Sequence, residues 1–330
     1  MNKRKKKRKR IVACLIYQLI FLIITTPLWI FYGPFKNVKA TMVDTAMTTF
    51  KAQRIATLFL SKNKISSIMK DAVSSSNDKM DPNEINVKYS SDSIEINDIH
   101  TSKFDGYMLI VKNPKSVKVG VTQKLKVEGQ RTSTIAEENG AAAAINGGGF
   151  TDKSPDGKQL WTGTGAFPDG IVITDGKVKY SSSSYDTPVS ATAFTKDGVM
   201  IVGNYSINEL KKMGITEALS FNQANSRLII NGKAQIKGSG GMGLQPRTAI
   251  AQKKDGTVLM LVIDGRQFTK LKMGASLKDI QDIFLSYGAW NASNLDGGSS
   301  STMYYRGEVV NNPSDPLGER SVATIVYVKP

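Results

Sequence analysis

The longest apolar stretch in the chain, IVACLIYQLIFLIITTPLWIFY, runs from Ile11 to Tyr32 and holds 22 residues without a charge. Wound as a helix, it is long enough to cross a hydrocarbon layer of about 30 Å. Beyond it, Val43, Met47, Phe50, Ile55, Leu58, Phe59, Ile65, Ile68 and Met69 recur mostly at spacings of three or four. That period predicts a helical stalk over 41–70. Residues 74–93, rich in Ser, Asn, Asp and Lys, read as a linker. The folded part is expected to begin near Ile94, and its roughly 235 residues suit one domain.

Within that domain the pattern changes. Thr134 to Glu137, Ser206 to Glu209 and Ser276 to Asp279 each place a hydroxyl three residues before a carboxylate. This is the spacing at which both side chains bond the free N–H groups of a helix start. Gly140, Gly214 and Gly288 then close three short helices. Three runs read as strands: Ala141 to Ile145, Val258 to Ile263 and Ala289 to Leu295. The middle run has no polar residue, so both of its faces should be covered. The expected fold is α/β (α+β), a mixed β-sheet core flanked by short helices and preceded by a single transmembrane helix and a helical stalk. The expected divisions are a basic cytoplasmic segment (1–10), a signal anchor (11–32), stalk and linker (33–94) and the folded domain (95–330). No internal repeat of 20 to 50 residues is visible.

Charge sharpens the topology. The chain has 44 Lys plus Arg against 28 Asp plus Glu, a formal net charge of +16. Eight of the positive charges fall between Lys3 and Arg10, and no acidic residue precedes Asp44. A basic block beside an apolar span stays on the cytoplasmic side, so a single-pass protein of the cell membrane is expected, with everything after Gly33 outside. A cleaved signal peptide is the competing reading, with Val38-Lys39-Ala40 as the cleavage site, but the apolar run exceeds the usual length of such segments. From Thr41 onward 34 basic residues face 28 acidic ones, which removes most of the support for nucleic acid as a partner.

One Cys and one His remain, so thiol nucleophiles, Cys/His zinc sites and imidazole bases are largely excluded, and no internal disulfide can form. Cys14 lies in the apolar run, and His100, which could serve as a general base, reads beside a strand as a surface or packing residue. The chemistry falls to carboxylates, Arg, Lys, Tyr, hydroxyls and Asn. The three strands end in Asn146-Gly-Gly-Gly-Phe150, Asp264-Gly-Arg266 and Asp296-Gly-Gly-Ser-Ser300. Open α/β sheets bind ligands beyond the carboxyl ends of their strands, so Asn146, Asp264 and Asp296 are expected to converge. The glycine run before Arg247 lacks the spacing of a nucleotide loop, and residues 152–157 lack that of a calcium loop. No metal and no cofactor are expected.

Five segments together resemble the phosphodiester glycosidase family: Ile145-Asn-Gly-Gly-Gly-Phe150, Pro246-Arg-Thr-Ala-Ile250, Val262-Ile-Asp-Gly-Arg266, Asn294-Leu-Asp-Gly-Gly-Ser-Ser-Ser-Thr-Met303 and Gly318-Glu-Arg320. Their order also matches, and the resemblance covers about residues 95–330. It implies hydrolysis of a sugar joined through its anomeric carbon to a phosphodiester. On that basis Asp296 is the first candidate for nucleophile or base, with Asp264 or Glu319 as the second carboxylate. Arg247, Arg266 and Arg320 are candidates for matching phosphate charge. Asn146, Gly147, Gly148, Gly297, Gly298, Ser299, Ser300 and Thr302 are expected to line the substrate. The expected partner is an anionic carbohydrate or sugar-phosphate polymer of the cell wall or exopolysaccharide. The alternatives are a non-catalytic module binding such a polymer, or a transferase remodelling it.

Overall fold

The computed structural model describes residues 2–47, 53–71, 80–88, 91–151, 164–222, 225–267, 270, 272–315 and 317–330. A helix, Asn2–Tyr32, contains the whole apolar run and is long and apolar enough to cross a membrane. Its large apolar side chains, such as Leu15, Leu19, Ile23 and Trp29, are exposed. The expected stalk is folded back on itself rather than extended. Helices Lys36–Met47, Gln53–Phe59 and Lys62–Asp71 bury Val43, Ala46, Ala56 and Ile65 together with Phe31 in a small core of their own.

The linker also departs from a free tether. Met80 and Ile85 are buried in the main core, Asn86 N–H donates to Lys254 O (2.8 Å) and Lys88 N–H to Asp255 O (3.0 Å). Two apolar side chains are enough to fasten this otherwise polar segment, since each buried one is worth about 1.5–3 kcal/mol.

Three sheets make the body. The largest has seven strands, with Val258–Ile263, Arg247–Lys253 and Ala289–Asn294 as consecutive neighbours. A five-stranded sheet contains Ile171–Thr174 and Ile215–Leu219 as neighbours. A second five-stranded sheet centres on Ala143–Asn146, flanked by Met303–Tyr305 and Thr324–Val328. Helices and sheets are combined as the α+β expectation has it, and every strand pair among the described residues is antiparallel.

The uniform apolar run now has its reason. Along Val258–Ile263, Val258, Met260 and Val262 enter the core shared by the three sheets. Leu259, Leu261 and Ile263 face the other way, against Leu277, Ile280 and Phe284 of helix Leu277–Ser286. A period of two has sorted one apolar strand between two cores. Helix Thr132–Glu138 covers the outer face of the third sheet in the same manner, packing Ile135 and Ala136 against Ala144 and Ile325.

The helix starts at Ser206 and Ser276 form the expected reciprocal bonds with Glu209 and Asp279. The one read at Thr134 does not. That helix begins three residues earlier, and its N-cap, Arg131, makes no side-chain cap. The free Ser133 N–H instead meets a carboxylate from far along the chain, Glu319.

The helix that follows Asn2–Tyr32, Lys36–Met47, rests on the glycine-rich loop 238–244. Thr45 Oγ1 accepts from Leu244 N–H (3.1 Å), and Ser239 Oγ donates to the buried Asp44 (2.5 Å). Gly243 has φ +62°, and a Cβ there would lie 2.4 Å from Thr45 Cα. Gly243→Ala is therefore expected to lift helix Lys36–Met47 off the loop and to destabilise the protein by about 1–3 kcal/mol. Hydrogen exchange of residues 36–47 and thermal melting check this. Unchanged protection of that helix would remove Gly243 from the contact.

Candidate active site

The strands Val258–Ile263 and Ala289–Asn294 both run antiparallel to Arg247–Lys253, which lies between them. Their carboxyl ends therefore emerge at the same edge of the sheet. The rule for parallel sheets does not apply, yet Asp264 and Asp296 reach one edge because they sit two strands apart. Asn146 arrives from the third sheet, where it pairs with Ile325. The two sheet ends are joined there, because Asp296 N–H donates to Gly147 O (3.2 Å) and Asn146 Nδ2 to Asp296 O (2.7 Å).

Asn146 is fully buried and its side chain is spent on this joint. Its Oδ1 accepts from Thr248 Oγ1 (2.6 Å) and from Thr302 N–H (3.1 Å). Thr302, also buried, returns a bond through its carbonyl to Asn146 N–H (3.2 Å). Both hold the backbone that carries Asp296.

The Asp296 carboxyl stands at the head of a tight turn, Gly297 to Ser301. Gly298 N–H donates to Pro246 O (3.0 Å), and a Cβ on Gly297 would fall 2.8 Å from the same oxygen. Burial pushes the Asp296 carboxyl up to about 6, opposed by the Ser300 hydroxyl and Arg320, reinforced by Asp169, and opposed by Gly297 N–H. Arg320 donates from Nη1 to Ser299 Oγ (3.2 Å), and its guanidinium carbon lies 5.0 Å from the Phe150 ring centroid. One turn thus brings a high-affinity carboxylate and an arginine together.

Other candidates face elsewhere. The buried Arg247 donates through Nε to Ala275 O (3.0 Å) and through Nη2 to Met242 O (2.9 Å) and Gly243 O (2.6 Å). Burial pulls its guanidinium down to about 10, still charged at neutral pH, with Asp279 opposing. Arg266 donates to Leu244 O (3.1 Å). The two arginines thus clamp the loop on which helix Lys36–Met47 rests. Glu319 accepts from Ser133 N–H (3.0 Å) and Ser133 Oγ (2.5 Å), capping helix Thr132–Glu138. The Asp264 carboxylate accepts from Asn312 N–H (2.8 Å) and Asn311 Nδ2 (3.2 Å). The same Nδ2 reaches Ser301 O (3.1 Å), so Asp264 steadies the Asp296 turn from behind. Burial raises the Asp264 carboxyl too, with Asn312 and Asn311 opposing and Asp105 adding.

Two residues enter that sequence reasoning passed over. Asp169 accepts from Thr151 Oγ1 (2.9 Å) through Oδ1, and its N–H donates to Gly149 O (2.8 Å). Asn311 links Asp264 to the Gly297 turn as described. The only signal at Asp169 was Pro168-Asp169-Gly170, which reads as a turn, and Gly170 does take φ +64°. Residues 152–157, read above against a calcium loop, lie outside the described residues. A cavity of about 600 Å³ lies under helix Lys36–Met47, with Thr41, Lys103, Ser239 and Asp279 in its wall, and neither Asp296 nor Arg320 lines it.

The electrostatics of Asp296 give a sign that can be checked. A folded-state value near 6 lies above the ordinary carboxylate value of about 3.9, so the fold favours the neutral form. Asp296 therefore subtracts stability as pH rises from about 4 to about 6, by at most about 3 kcal/mol at about 1.4 kcal/mol per unit. Asp296→Asn is expected to melt several degrees above the parent at pH 7.5 and together with it near pH 4. Thermal melts at the two pH values decide, and an Asn variant no more stable at pH 7.5 contradicts the burial account.

The phosphodiester glycosidase family profile matches residues 139–329, which contain all five motifs. The SPbeta prophage-derived uncharacterized protein YomE of Bacillus subtilis (strain 168) is 29% identical over 227 residues, 66% of this chain and 32% of that protein. The chain spans about a third of the length of that relative. The catalytic domain of zebrafish N-acetylglucosamine-1-phosphodiester alpha-N-acetylglucosaminidase, solved in a form auto-inhibited by its pro-peptide, superposes with a TM-score of 0.60 at 20% identity. That match covers 74% of this chain and 87% of the zebrafish one, and it establishes the shared fold. With more than half of its length inside the family profile, the chain belongs to the phosphodiester glycosidase family.

Proposed function

We propose that this protein is a membrane-anchored extracytoplasmic hydrolase that cleaves a sugar-1-phosphodiester linkage in a cell-wall or exopolysaccharide polymer. The observation that carries the reading is the turn that Asp296 heads and whose Ser299 hydroxyl holds Arg320, which brings a carboxylate with a proton affinity near neutrality under the influence of a guanidinium. A base works best when its pKa lies near the working pH. A sugar alkoxide leaves poorly and needs a protonated acid, whereas a phosphomonoester, with a second pKa of about 6, leaves once its charge is matched. Arg320 has the fork geometry for phosphate oxygens.

In this reading the oxygen of a water molecule bonds to the anomeric carbon while its proton passes to Asp296. The bond from that carbon to the phosphate ester oxygen breaks, and the electron pair leaves with the phosphomonoester. Ser299 orients Arg320, and Ser300 holds the Asp296 carboxyl. Helix Asn2–Tyr32 would anchor the protein with its eight basic residues inside, by the positive-inside rule. The modest +6 beyond Thr41 suits an enzyme that meets an anionic polymer.

The test is product analysis with the full chain in detergent and a synthetic sugar-1-phosphodiester. Free sugar and phosphomonoester are expected, while a new glycoside would indicate transfer and binding without turnover a non-catalytic module. Asp296→Asn should lower turnover at least about a hundredfold with the fold intact. Because the base must be ionised, kcat/KM should fall as pH drops through about 6. Near-normal turnover by the Asn variant would sink the assignment. Arg320→Met should cost more on the diester than on a neutral aryl glycoside.

A further inference from the structure

The proposed base has a partner in the geometry of the glycine turn. Gly147, Gly148 and Gly149 connect two aspartates that belong to different sheets. At one end Asp296 N–H bonds Gly147 O (3.2 Å), and at the other Asp169 N–H bonds Gly149 O (2.8 Å). Two residue steps cover at most about 7.6 Å between Cα atoms, so the two hydrogen-bonding points on the turn lie close together and tie both backbones to one short segment. Asp169 leads into strand Ile171–Thr174, whose sheet reaches the same turn a second time through Ser220 O, the acceptor of Gly149 N–H (2.9 Å).

The side chain is positioned as firmly as the backbone. A Cβ on Gly149 would lie 2.9 Å from Asp169 Oδ2 and 3.1 Å from Phe221 Cδ2, so the carboxylate rests against bare backbone. Its other oxygen is held by the Thr151 hydroxyl at 2.9 Å. Among the described residues, Arg320 favours the ionised form of Asp296 and Asp169 favours its neutral form. Glu319 and Asp264 are each turned onto structural donors, Ser133 in one case and Asn311 and Asn312 in the other.

We propose that Asp169 is the second acidic residue of this site, a positioning residue held across the Gly147–Gly149 turn that sets how readily the proposed base takes a proton from water. The inference rests on the hydrolytic reading for its activity readout and on the glycine turn for its geometry. Like charges in one site oppose each other's ionisation, so removing one eases ionisation of the other. The remaining carboxylate is then the weaker base.

Asp169→Asn tests this, since Asn keeps the backbone bond to Gly149 and can still accept from Thr151. In the full chain in detergent, the acid limb of kcat/KM should move to lower pH by at least about half a unit, with a plateau lower by about threefold to tenfold. The same shift should appear without substrate, in the carboxyl ¹³C titration of Asp296, assigned by its loss in Asp296→Asn. A titration of Asp296 that is unchanged by Asp169→Asn overturns the proposal whatever the activity. A shifted titration in a protein whose parent cleaves no sugar-1-phosphodiester upholds the pair and overturns the hydrolytic reading instead.

Discussion

There is no room for a side chain at three consecutive positions, Gly147, Gly148 and Gly149. A Cβ would lie 2.5 Å from Thr324 Oγ1 at the first, 2.3 Å from Ser220 O at the second and 2.9 Å from Asp169 Oδ2 at the third. None of the three has a positive φ, so the demand comes from close approach rather than from a left-handed backbone. The three sheets meet here. The turn continues a strand of one, bonds the end of the largest at Asp296 and bonds the remaining one at Ser220 and Asp169. An ordinary side chain would force the sheets apart, and with them the carboxylates whose spacing the proposed chemistry needs.

Around that joint the charged residues divide by task. Arg247 gives three hydrogen bonds to main-chain oxygens, Glu319 caps a helix, and Asp264 acts on the Gly297 turn through Asn311. Hydrogen bonds to charged groups are worth about 1.5–3 kcal/mol each, and a buried charge left without them costs more than that. These residues therefore fix loops that a polar surface pair such as Lys124 and Glu128 could not hold. Arg320 and Asp296 keep company with hydroxyls and with Asp169, which leaves them suited to a ligand.

The parts of this arrangement that depend on local pattern were legible in the sequence. The fully apolar strand Val258–Ile263, the capped helix starts at Ser206 and Ser276, and the strand that delivers Asp296 follow from period, cap chemistry and glycine placement. What depends on distant partners was not. Thr134 has the spacing of a cap, but the capping carboxylate comes from Glu319, more than 180 residues away. Asp169 has the neighbours of an ordinary turn, and only the third dimension sets it against Gly149. The stalk showed its helical period, yet no period reveals that Gly243 admits the helix backbone so closely that the stalk docks. Arg247 and Arg266 were read as candidates for phosphate charge because guanidinium suits phosphate, and in the fold peptide carbonyls accept from the same donors.

The central claim is that the carboxylate at the glycine joint directs water to carbon rather than to phosphorus. Turnover of a sugar-1-phosphodiester in ¹⁸O-labelled water, with both products weighed by mass spectrometry, decides it. The account predicts the label in the anomeric hydroxyl of the released sugar and none in the phosphomonoester. Label in the phosphate, with an unlabelled sugar, would contradict it.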